Sequence, residues 1–197
     1  TRTLSTESGQ KAYRKQNLRG LLAGLDGIDV FSKTPQVDDA LYFGFENDLS
    51  YHILGFDLDF DPAGGAGIDP TLPPYVWEAS TGGETHRWQV CQVETDQTRG
   101  MNREGHIQVH LPKMGKYETG KIDAYWVRVK VKEITQSEAQ SGMRPYQASP
   151  LLRRLAVAAW GATIPATHAQ RVTQEFLGQS EGSPGQRFTL KSTPILT

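Results

Sequence analysis

Ser180 sits in Gly178-Gln179-Ser180-Glu181-Gly182, the G-x-S-x-G spacing that in hydrolases places a serine nucleophile between a strand and a helix. Pro184 and Gly185 follow at once, and these residues punctuate loops rather than open helices. Phe188, Leu190 and Ile195 then suggest an extended segment. The motif is therefore read as a tight loop between two extended segments, and Ser180 is given no catalytic role. Gly178, Gly182 and Gly185 are read as loop-shaping turns, with Pro184 limiting the loop's freedom. Glu181 and Arg187 on this loop are candidate docking residues at a domain exit.

Other chemistry-bearing groups fail on spacing. Asp57, Asp59 and Asp61 suggest a calcium loop, but its sixth and twelfth positions hold Pro62 and Ile68 instead of Gly and Glu. On a strand the three carboxylates line a solvent face. His106 and His110 have the i, i+4 spacing of a zinc-binding helix. Ile107, Val109 and Leu111 alternate with them, however, and on a strand the imidazoles stand about 13 Å apart, too far to share one ion. Cys91 lies among apolar residues with no sequence neighbour to activate a thiolate. Gly64-Gly65-Ala66-Gly67 lacks the Lys-Ser/Thr of a phosphate cradle. No catalytic residue, cofactor or metal site is assigned, and the chain is read as a non-enzyme.

A chain of 197 residues can bury a real core without metal or disulfide staples. A net charge of −1 offers no basic field for nucleic acid. One cysteine excludes an internal disulfide and suits a cytosolic origin. No apolar run reaches membrane-spanning length. The chain opens on Thr1 and stops just after Pro194-Ile195-Leu196, so it reads as an excerpt of a longer polypeptide.

Residues 1–39 read as an arm or linker, with a short helix within Lys11 to Leu22 and Gly20, Gly24 and Gly27 interrupting it. From Ala40 the period becomes two. Leu41, Phe43 and Phe45 alternate with Tyr42 and Gly44, and Phe56, Leu58 and Phe60 alternate with three aspartates. Further strands are expected at Tyr75–Ala79, Arg87–Thr95, His106–Leu111 and Ala124–Ile134. The alternation slips at Cys91, which a β-bulge would explain. Gln136 to Met143 reads as an exposed polar loop. Ser149 to Ile164 is ambiguous: Ser149, Pro150 and the spacing of Leu151, Leu152, Leu155 and Ala159 favour a helix, whereas Thr163-Ile164-Pro165 fits a strand ending. About seven strands without helices between them argue for an all-β, jelly-roll-like sandwich over 40–171, followed by a connecting segment over 172–197.

Val127, Val129 and Val131 define the inward face of their strand, which puts Trp126 with Arg128, Lys130 and Lys132 on the other. Either a loop such as Pro145–Pro150 covers the indole, or Trp126, Arg128 and Lys130 form a protein-contact surface; a sugar platform is a third reading. Trp77, Trp88 and Trp160 are expected in the core.

Leu177 to Leu190 (LGQSEGSPGQRFTL) resembles a stretch of the baseplate assembly (wedge) proteins of phage-tail-like contractile injection systems. Upstream blocks agree in order: Leu41-Tyr42-Phe43-Gly44-Phe45, Gly67-Ile68-Asp69-Pro70 through Val76-Trp77-Glu78, Trp126-Val127-Arg128-Val129, and Tyr146 with Ala148-Ser149-Pro150. The resemblance covers about 40–196 and implies a long bent strand over Ser149–Ile164, which decides that ambiguity. It implies a structural subunit that assembles in the cytoplasm with other wedge subunits and tube- or sheath-proximal proteins, self-associating in a sixfold particle. The alternative is a carbohydrate-binding β-sandwich module, since such folds with exposed aromatics commonly serve that role.

Overall fold

The structure is a computed structural model that describes residues 2–7, 10–16, 18–23, 27–61, 68–83, 87–164 and 174–191. Its elements are β1 (Arg2–Glu7), β2 (Gln10–Lys15), α1 (Leu18–Leu22), β3 (Ile28–Asp29), β4 (Ala40–Phe45), β5 (His52–Phe60), β6 (Tyr75–Ser80), β7 (Trp88–Val90), β8 (Gln92–Asp96), β9 (Gly105–His110), β10 (Lys116–Thr119), β11 (Ile122–Val131), α2 (Gln136–Gln140) and β12 (Leu151–Ala162). One sheet has the order β2-β1-β4-β11-β6-β7, with β10 also paired to β11; the other has the order β3-β12-β5-β9-β8. All these strand pairings are antiparallel. The chain passes between sheets at β2–β3, β3–β4, β4–β5, β5–β6, β7–β8, β9–β10 and β11–β12. The protein is an all-β sandwich. Its strands form one unit, Thr1–Thr163, and Ile164–Thr197 forms a second.

Alternation along each strand builds the core. Leu41 and Phe43 of β4, Trp77 and Ala79 of β6, and Val127, Val129 and Val131 of β11 are buried from one sheet. Leu54, Phe56, Leu58 and Phe60 of β5, Ile107 and Val109 of β9, and Leu152 and Leu155 of β12 are buried from the other. At the centre three rings meet: Phe43–Phe56 at 5.1 Å, Phe56–Trp77 at 4.7 Å and Phe43–Trp77 at 6.0 Å between centroids. The Trp77 Nε1 is buried without a hydrogen-bond partner, so this indole is held by ring packing alone. Tyr75 of β6 adds a polar tie by donating to Asp96 of β8, in the opposite sheet. Burial, with Asp96 beside it, pushes the Tyr75 phenol well above its ordinary pKa, so it stays a donor at neutral pH.

Several expectations need correction. The slip at Cys91 is no bulge: β7 pairs with β6 and β8 with β9, so the chain changes sheets at this residue. Changing sheets reverses which side chains face inward, which explains the broken phase. The 1–39 arm contributes structure to the sandwich, because β1 pairs with β4 and β2 extends the sheet outward. The helix expected within Lys11–Leu22 shrinks to α1, after a strand that ends at Lys15. The Gln136–Met143 loop contains α2, whose Thr135–Glu138 capping box satisfies the first amides. Lys132, and then Thr135, lower the Glu138 carboxyl to about 2, so this cap persists as a charged group across the ordinary pH range. Ser149 does not cap a helix. Its hydroxyl accepts from the Phe31 amide at 3.0 Å, tying the early chain to the entry of β12. β12 is one long strand with register shifts at Leu152/Arg154 and Ala159/Gly161. The Gly64–Gly67 loop and the expected boundary at Arg171 lie outside the described residues.

Val129 is 1 % exposed and directly opposite Trp77 and Leu41. Val129→Asp places a carboxylate there without a partner, a cost of at least about 4 kcal/mol. Circular dichroism should show a variant unfolded, or nearly so, at room temperature. A melting temperature within a few degrees of wild type would contradict this strand phase.

Candidate binding surfaces

The outer face of the seven-stranded sheet is a second packed layer. Trp126 stands directly opposite Gly44 on β4, and a Cβ at Gly44 would lie 2.7 Å from the indole Cζ3. Glycine here is required by that close approach. The indole Nε1 donates to the Tyr117 carbonyl at 2.7 Å, and Tyr42 meets the ring edge-on at 6.2 Å. Trp126 is 0 % exposed. It therefore offers no contact surface. Its cover is β10 with Tyr117, and Trp88 packs on the same cluster, in place of the expected Pro145–Pro150 loop.

Arg128 and Lys130 share this face but are turned into an internal network. Arg128 donates through Nε to Glu78 Oε2 at 2.7 Å and through Nη1 to the Tyr42 hydroxyl at 3.2 Å. Its guanidinium lies 3.9 Å from the Trp88 ring centroid, a stacked cation–π contact. Lys130 pairs with Asp38 at 3.0 Å and approaches Glu78 at 3.7 Å. The Arg128 and Glu78 side chains are 14 % and 12 % exposed. A fork of donors, a flat ring and a carboxylate suit arginine at 128 and would not suit lysine. Behind this layer, burial, and then nearby Glu78, push the Cys91 thiol up to about 12, which keeps it an inert thiol.

The C-terminal unit holds the Ser180 loop. Ser180 Oγ donates to Gln186 Oε1 at 3.3 Å and accepts from the Gly182 amide, while Gln186 Nε2 donates to the Gln179 carbonyl. No helix follows the serine within 181–191. Gly178, Gly182 and Gly185 have φ of +135°, +75° and +84°. A side chain at Gly178 would press on the Phe188 ring, whereas Gly182 and Gly185 have no neighbours at the Cβ position. Glu181, Pro184 and Arg187 are all exposed.

The outer face of the five-stranded sheet carries a feature that sequence reasoning missed. Trp160, expected in the core, is 61 % exposed. Its indole lies across Gly55 of β5, where a Cβ would come within 2.3 Å of the indole Nε1. The ring also rests on His106 of β9, with centroids 4.5 Å apart. His106 Nδ1–H donates to Asp57 Oδ1 at 2.6 Å, and its Nε2 is buried without a hydrogen-bond partner. Beside this group runs an open groove of about 760 Å³ lined by Asp57, Gln97, Arg103, Glu104, His106 and Arg154 among others. The available signal was Gly55 itself. A glycine between Leu54 and Phe56 in a strand marks a close approach from outside.

His106 and His110 stand apart as the strand spacing requires, each with its own carboxylate; His110 pairs with Glu94 at 2.7 Å. Asp61, the last of the three aspartates, holds Arg153. Among the described residues no group of three or more His, Cys, Asp or Glu could hold a metal ion, and no helix is long and apolar enough to cross a membrane. Compared with models of known protein families and with curated proteins, the chain matches none.

Removing the Arg128 side chain leaves Glu78 a largely buried carboxylate without its main partner. Arg128→Ala should destabilise the sandwich by about 3 kcal/mol in a urea titration. Arg128→Lys should recover only part of this, because the fork and the stack are lost. A loss below about 0.5 kcal/mol for Arg128→Ala would mean that the pair behaves as a solvated surface bridge.

Proposed function

We propose that this chain is a structural segment of the baseplate of a phage-tail-like contractile injection system. It would assemble in the cytoplasm with other wedge subunits and tube- or sheath-proximal proteins, in copies arranged by a sixfold ring. Its work is binding and transmission of conformational change, with no bond made or broken.

One observation supports this reading best. Three of the blocks that carry the resemblance are neighbours in one sheet. Leu41–Phe45 is β4, Val76–Glu78 lies in β6, and Trp126–Val129 lies in β11, which is hydrogen-bonded to both. Tyr146 donates to the Gly100 carbonyl and Ser149 ties Phe31 to the start of β12. The surroundings of Ser180, a glutamine and backbone amides in an exposed loop, also suit a connecting role better than an acyl-transfer site.

The loop glycines supply the test. Valine is strained at the positive φ of Gly182 and Gly185, yet would touch nothing else there. Gly182→Val with Gly185→Val should leave the melting temperature of the sandwich unchanged while electron micrographs show loss of assembled tail particles. Particles that form and contract normally with both changes would remove the docking role of this loop. Failure of the wild-type chain to co-purify with tube and sheath proteins would overturn the baseplate reading itself.

A further inference from the structure

Each sheet lays one indole over a glycine on its outer face, and the two are treated differently. Trp126 over Gly44 is sealed by β10 and fixed through its N–H, whereas most of Trp160 over Gly55 faces solvent. An exposed indole is normally expendable surface, but this one is held. Gly55 removes the side chain that would lift it from the sheet, and the His106 ring packs against it. His106 is held in turn by Asp57. The indole is thus seated through its Nε1–Cδ1 edge over Gly55 and against His106, and most of the ring faces solvent.

We propose that this face binds a neutral oligosaccharide, with Trp160 as its stacking platform. A pyranose with equatorial hydroxyls has an apolar C–H face and a polar rim, so it needs a flat aromatic plane beside planar hydrogen-bonding groups. The groove that shares His106 with this platform supplies such groups in Asp57, Gln97, Arg103, Glu104 and Arg154. Its volume of about 760 Å³ is of ligand-binding size. Two arginines face two carboxylates in the lining, so no net field selects an anion or a cation. A protein hot spot would instead surround the tryptophan with apolar groups that exclude water. The ligand class is therefore a β-linked chain of gluco or N-acetylglucosamine configuration, whose rings present flat C–H faces.

The test is a titration of the full chain with cellohexaose and, separately, chitohexaose, followed by the tryptophan indole N–H resonances. The chain has four tryptophans, and the peak lost in Trp160→Phe identifies the relevant one. At least one sugar should shift that resonance with Kd below about 1 mM, leaving the Trp77 and Trp126 resonances unmoved. Trp160→Ala should weaken binding at least tenfold without lowering the melting temperature, because the side chain is mostly exposed. Arg154→Ala should weaken it several-fold. The proposal is overturned if neither sugar moves the Trp160 resonance at about 10 mM, or if Trp160→Ala binds within about twofold of wild type. It is equally overturned if the shifts centre on another face. None of these results bears on tail assembly, which is read through the C-terminal glycines.

Discussion

The contact among Phe43, Phe56 and Trp77 is the constraint on which the rest of the molecule depends. Phe43 and Trp77 come from one sheet and Phe56 from the other, so these rings are where the two layers become one core. Side chains of this size each bury on the order of 150–250 Å². Once β4, β5 and β6 are fixed by this contact, β11 is placed between β4 and β6 and β9 beside β5. The outer faces are what remains for other work.

Those outer faces follow different rules. On the larger sheet, alternation would leave Tyr42, Trp126 and Arg128 wet, but β10 and Trp88 cover the indole and Glu78 neutralises the arginine. The result is a second small core with a charged pair inside it, a place where a lost partner is costly. On the smaller sheet the same glycine-and-indole device is left open. Asp57, His106, Gln97 and Arg154 keep that face polar, and Trp160 is the large apolar group that breaks it.

Much of the sandwich was legible because strand period and sheet burial coincide. Val127, Val129 and Val131 face inward as their spacing requires, and the alternation of β5 places Phe56 in the core. Local signals failed where tertiary structure decides. At Cys91 the slip is real, but a bulge and a change of sheet look alike in one strand's sequence; only the partners of β7 and β8 separate them. Trp160 was assigned to the core because large aromatics usually bury, yet β12 runs on beyond the covered part of the sheet, and its last residues are exposed on both faces. Trp126 was placed on the correct face, but the cover supplied by β10 has no signature near residue 126. The N-terminal hairpin was obscured because its residues are largely polar, and β1 finds its partner in the distant β4.

Amide hydrogen exchange followed by mass spectrometry tests most directly whether one cross-sheet contact makes the sandwich a single unit. Peptides spanning 40–45, 52–60, 75–80 and 122–131 should exchange last and together, and Phe56→Ala should accelerate all four by a common factor. Slow exchange confined to one sheet, or acceleration of β5 alone in that variant, would contradict the account.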